Sequence, residues 1–150
     1  MSSQYVRDSI IAFIGTEIPG EKLVDFTAEF EELSDFLEYN NIGPGDNWIA
    51  VQFVGSEEIP VDVRGTNTKG TYREIGLVHI HVVSVARLGG HNDILTRAEA
   101  IRDKFRGQRI DTILIESVSP PNFGTGIALN FSGGYTAATF NIGFQRDLNL

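Results

Sequence analysis

The sequence predicts one α+β domain over residues 1–150: a mixed, mostly antiparallel β-sheet packed by two or three helices. Three observations carry that expectation. Apolar residues at helical spacing open the chain and return in "ILTRAEAIRDKF". Apolar residues at period two fill the middle and the C-terminal third. No segment repeats and none is of low complexity, so the parts belong to one core. Hydrophobic residues make up 41% and charged residues 21%, an ordinary globular balance at a length that suits a single domain.

Val6, Ile10, Phe13 and Ile14 form the stripe of a first helix, with Ser2 or Ser3 available to cap it. Pro19-Gly20 forces a turn. Phe26, Phe30, Leu33 and Leu37 recur at i, i+4, i+7 and i+11, which predicts a second helix over 26–37. Glu29, Glu31, Glu32 and Asp35 would lie on its solvent face. "NNIGPGDN", 40–47, is turn chemistry, and "WIAVQFV" after it is a strand with Ile49, Val51 and Phe53 on one face. Residues 55–73 read as a long polar loop with room for one short strand around Val61 to Val63. A loop of that length in a small domain is functional or disordered.

"GLVHIHVVSVARLGG" predicts the central strand. Leu77, His79, His81, Val83 and Val85 point one way and Val78, Ile80, Val82 and Ala86 the other, so both faces are covered. Gly89-Gly90 ends it. Asn92 or Asp93 caps a helix whose stripe is Ile94, Ala98, Ile101 and Phe105, with Gly107 suited to its C-terminal end. "IDTILIESV" is a strand stopped by Pro120-Pro121. "IALNFSGGYTAATFNIGF" reads as a hairpin turning at Ser132-Gly133-Gly134. Phe140, Ile142 and Phe144 make the packed face of its second arm.

Composition excludes several roles. Twelve basic against twenty acidic residues give a net charge of −8, and no basic run occurs, which argues against gripping nucleic acid through counterion release. The apolar runs are far shorter than the ~20 residues of a membrane helix, and "MSSQYVRDSI" is no secretory leader, so a soluble, non-secreted protein is expected. There is no Cys, which removes disulfides and thiolate metal sites and fits a reducing cytoplasm.

His79-x-His81 is the one pattern that invites a metal. Residues i and i+2 of a strand share a face about 6.5–7 Å apart, and His91 could add a third ligand. A catalytic site also needs a carboxylate and acceptors behind the rings. The near acids, Glu74 and Asp93, stand at element ends without a fixed relation to the pair. Packing under a helix or at a subunit contact is the better reading. "NFGTG" at 122–126 has two glycines but no third, so it is a tight turn rather than a dinucleotide loop. Ser132 sits in a Gly-rich turn that is not a nucleophile elbow. No enzyme, cofactor or metal is therefore expected.

Taken together, the parts resemble the tail terminator proteins of long-tailed, lambda-like bacteriophages. The resemblance runs nearly the full length: an N-terminal helix, "NWIAVQFVG", a polar loop, "YREIGLVHIHVVSVARLG", "ILTRAEAIRDKFRG", "IESVSPPNFG" and "NFSGGYTAATFNIGFQRDL". Arg73 and Gly76 opening the long strand, and Phe105-Arg106-Gly107 closing the helix, are its most telling pieces. The acidic second helix departs from the shorter versions of the family.

The resemblance implies a structural virion protein without catalytic residues, put together in the host bacterial cytoplasm. Its subunits would form a hexameric ring on the head-proximal end of the tail tube. That ring would stop tube polymerisation, enclose DNA without specific binding, and offer a surface for head–tail joining. Its partners would be copies of itself, the tail tube protein and a head-completion or connector protein, with no membrane. Another neck or minor tail protein, or a small His-dependent metalloenzyme, are the alternatives. A ring needs two different complementary patches on each subunit. The expected ones are the open edge of the hairpin, 127–146, and the loop 55–73, whose Glu57, Glu58, Asp62, Arg64, Lys69 and Arg73 suit cross-subunit pairing. An acidic subunit also suits a channel through which DNA slides.

Overall fold

The computed structural model describes residues 2–26, 33–43, 46–60, 71–85, 90–123 and 135–149. Helix α1 (Ser2–Glu17) forms where the stripe requires it, and Val6, Ile10 and Ile14 are fully buried. After the Pro19-Gly20 turn comes β1 (Lys22–Asp25), then α2 (Leu33–Tyr39), β2 (Trp48–Pro60) and β3 (Thr71–Val85). Helix α3 (Gly90–Phe105) follows, and Gly107 at φ +66° makes the left-handed step that ends it. The chain closes with β4 (Arg109–Ile110), β5 (Ile113–Val118), β6 (Asn122–Phe123) and β7 (Tyr135–Asn149).

The strands make one seven-stranded sheet in the order β1-β2-β3-β7-β5-β4, with β6 beside β7. Only β1 and β2 pair in parallel; the remaining pairs are antiparallel, so the mixed, mostly antiparallel α+β architecture holds. β3 lies in the middle, paired along its length with β2 and β7.

One face carries Ile49, Val51, Val78, Ile80, Val82, Phe140, Ile142 and Phe144, all buried beneath α1 and α3. Ile94, Ala98, Ile101 and Phe105 of α3 close it, with the Phe105 ring 5.0 Å from Phe13 and 6.1 Å from Phe140. The other face has a smaller cluster of Val24, Phe36, Ile42, Trp48, Ala50, Val83 and Ala137 beneath α2. Both faces of the central strand are therefore covered, as its two apolar faces require.

Five expectations need correction. Of the helix expected over 26–37, the described part is α2 from Leu33, and its expected first residue, Phe26, continues a strand instead. Phe26 carries on the β1 ladder by donating its N–H to Val51 O at 2.9 Å, and its ring meets Phe36 at 5.6 Å. Asp35 is exposed; Phe30, Glu29, Glu31 and Glu32 lie outside the described residues. The described residues of the loop expected over 55–73 are sheet: β2 runs on to Pro60 past a bulge at Phe53/Gly55, and β3 already begins at Thr71. "GSEEIP" has little strand propensity, but pairing with β3 supplies its hydrogen bonds, and an edge position tolerates Pro60. The region of Val61 to Val63 lies outside the described residues.

"IDTILIESV" is not one strand but the end of a hairpin. β4 turns into β5 through Asp111-Thr112, with Asp111 in the left-handed region at φ 54°, which Asp tolerates better than most residues. Finally, the "open" hairpin arm is interior: β7 has β3 on one side and β5 and β6 on the other. Its packed face is as expected, with Phe140, Ile142 and Phe144 fully buried. Residues 124–134, including Ser132-Gly133-Gly134, lie outside the described ones, as do Ala86 and Gly89. α3 begins at Gly90, so Asp93 lies within its first turn rather than ahead of it.

Candidate functional site

His79 and His81 share the face of β3 that points away from α1 and α3, because strand residues two apart project together. Their rings stand 5.9 Å apart. His81 is fully buried, and both of its nitrogens are engaged at 2.8 Å, with Gln52 on β2 and Thr139 on β7. Gln52 presents its carbonyl oxygen, so Nε2–H donates to it and Nδ1 accepts from the Thr139 hydroxyl. That is a neutral imidazole with every polar atom satisfied. Burial, with His79 alongside, holds its pKa down to about 4; burial lowers His79 as well. Phe26 packs 6.1 Å from the His81 ring.

A metal shared by the pair would need a lone pair on His81, and the only one, on Nδ1, already accepts from Thr139. The carboxylates near in sequence are placed elsewhere. Glu74 lies on the opposite face of β3, and Asp93 rides on α3 over that opposite face. No group of three His, Cys, Asp or Glu side chains comes together among the described residues. The side chain of His91 lies outside them. Gln52 and Thr139, which fix the tautomer, were not visible as partners in the sequence, because only the register brings residues 29 and 58 positions away to His81.

Past the end of β1, the strands β2, β3 and β7 run on together as a long arm of the sheet, and β5 and β4 continue it beyond β7. Among the described residues nothing pairs with the outer edge of β2 from Phe53 to Pro60. The expected contact residues divide here. Glu57 and Glu58 lie on that edge and are exposed. Arg73, on β3, is engaged within the subunit: its Nε donates to Asp147 Oδ1 on β7 at 2.8 Å, and this bond holds the Asp147 carboxyl below its usual range. Asp62, Arg64 and Lys69 lie outside the described residues. Val54, at the bulge, and Ile59 keep 50% and 39% of their surface in water, leaving apolar area on the same edge.

A buried polar chain anchors the arm to the body. The Glu74 carboxylate, 1% exposed, accepts from Ser56 at 2.7 Å and from Arg146 Nε at 2.6 Å. The Arg146 guanidinium lies over the Tyr5 ring, 4.5 Å from its centroid. The Tyr5 hydroxyl donates to Asp111 and shares a hydrogen bond with Thr112 at 2.9 Å. α1, the arm and the β4–β5 turn are thus tied together at one corner. Between that turn and the end of β7 lies a shallow hollow of about 240 Å³, lined by Arg109, Thr112, Leu114, Gln145 and Asp147 among others.

Chemically, this arrangement offers surface and charge. Among the described residues, no helix is long and apolar enough to cross a membrane. Neither a protein-family model nor a curated protein sequence matches the chain.

Proposed function

We propose that this chain is a ring-forming structural subunit of a phage virion: a tail terminator that caps the head-proximal end of the tail tube and presents a surface for head–tail joining. The observation that carries this reading is the β2–β3–β7 arm, whose charged outer edge is unpaired among the described residues. Exposed edges normally attract other strands, and proteins guard them with charge, bulges and Pro. Here all three guards are present, in the bulge at Phe53/Gly55, in Glu57 and Glu58, and in Pro60. They make the edge selective rather than inert.

The chemically distinctive side chains support the same reading. His81, Glu74, Arg97 and Arg146 are held in internal hydrogen bonds: Arg97, for example, clamps Glu21 on the segment before β1 and also reaches Ser84 Oγ at 2.9 Å. Rigid internal anchoring suits a subunit that works by shape. The net charge of −8 suits a ring through which DNA passes without being held.

The test is genetic and morphological. A producing phage in which this gene is deleted should make overlong tails, or tails not joined to heads, when viewed by electron microscopy. Normal-length, head-joined tails would refute the proposal.

A further inference from the structure

The register ties the two borders of the sheet together. Glu57 lies opposite Ile75, Ile75 opposite Gln145, Gln145 opposite Leu114, and Leu114 opposite Arg109. One row of residues therefore crosses the whole sheet on a single face. It ends in an exposed carboxylate at β2 and an exposed guanidinium at β4. Counting antiparallel steps from β2 through β3, β7 and β5, β4 runs in the same direction as β2.

A copy shifted along that row, with strand directions kept, sets its β4 beside the unpaired edge of β2. Arg109 of one copy then meets Glu57 of the other. We propose that a second copy of this chain docks its β4 border through Arg109 on the outer β2 edge at Glu57, extending the sheet from one subunit into the next. This rests on the ring-forming reading above and says which two patches make the ring. The contact is head-to-tail, the type from which closed rings are built.

Charge favours this occupant. Glu58 follows Glu57 on one border, while Arg109 is the exposed base on the other; Arg106 before it already faces Asp103 at 3.6 Å. The acids beside Arg109 at the hollow are already engaged: Asp147 accepts two hydrogen bonds from Arg73, and Asp111 accepts one from Tyr5. The hollow bounded by the β4–β5 turn lies toward the row of Asp147, Arg73 and Ile59, so a neighbour's exposed Ile59 side chain has a place to sit.

The natural chain has no Cys, which makes a direct test available. Positions 57 and 109 of one chain are separated by four strand intervals, about 19 Å, whereas a disulfide spans Cα atoms about 4.4–6.8 Å apart. In the Glu57→Cys/Arg109→Cys double variant, a bond between these positions must join two chains. Mild oxidation should give a ladder of covalent multimers that a reductant collapses, while either single variant stops at dimers. As a second arm, Glu57→Arg or Arg109→Glu should raise the concentration needed for assembly by about tenfold or more, and the double reversal should restore it. Multimers by light scattering, with neither a ladder nor any response to charge reversal, would overturn this contact and leave the ring standing. A monomeric wild-type chain without a ladder would overturn both.

Discussion

His81 turns a metal-like motif into a pH-dependent strut. Its pKa falls from 6.5 unfolded to about 4 folded, chiefly because burial disfavours the imidazolium. Above pH 6.5 both states are neutral and the ionisation of His81 adds nothing to the pH dependence of stability. Between pH 6.5 and about 4 the unfolded chain takes up a proton that the folded chain refuses. Stability should therefore fall on acidification through that window, by about 3 kcal/mol in all. Denaturant melts at a series of pH values check this, and His81→Gln should flatten the slope across the same window. Gly76 is the second residue with a specific task. A Cβ there would come 2.5 Å from Phe144 Cζ and 2.8 Å from the Gly55 carbonyl oxygen, so the aromatic ring lies directly on bare backbone. Gly76→Ala should destabilise by about 1–3 kcal/mol through overpacking. Pairing it with Phe144→Leu should recover part of that loss; strict additivity of the two changes would contradict the contact.

Among the elements, the arm of β2, β3 and β7 depends on the Glu74–Arg146 pair that joins it to Tyr5 and the β4–β5 turn. Removing one partner of a buried pair leaves an uncompensated charge. Glu74→Ala or Arg146→Ala should each cost about 3–5 kcal/mol, read from chemical denaturation. Elements with a strong period of their own were legible in the sequence: α1, α3, the central strand and the packed face of β7. The rest were hidden for physical reasons. β1 has only four residues, and its place comes from parallel pairing with β2. The Phe26-Phe30-Leu33-Leu37 spacing predicts a helix that does hold Leu33 and Leu37, while Phe26 itself belongs to the end of a ladder. "GSEEIP" is strand only because β3 lies beside it. Asp111-Thr112 lacks the glycine that would have announced a hairpin. Of the expected contact residues, Glu57 and Glu58 stand on an open edge. Arg73 does not, since Asp147 is brought to it from 74 positions away.

For the whole molecule, the sheet has two unlike borders, with the exposed Glu57 and Glu58 at the outer edge of β2 and the exposed Arg109 at β4. Exposed ion pairs weaken as salt screens them, so assembly through these borders should fall between 0.05 and 0.5 M salt, values set as rough bounds around the Debye length. Sedimentation at both ionic strengths would show it; salt-independent assembly would point to an apolar contact instead. The central claim is that the protein acts by docking copies of itself, not by holding a reactive ion. Light scattering combined with metal analysis of the same purified sample tests it most directly. A discrete mass at a multiple of 16.5 kDa, without stoichiometric metal, is the expected result. A 16.5 kDa monomer carrying one ion per chain would contradict it.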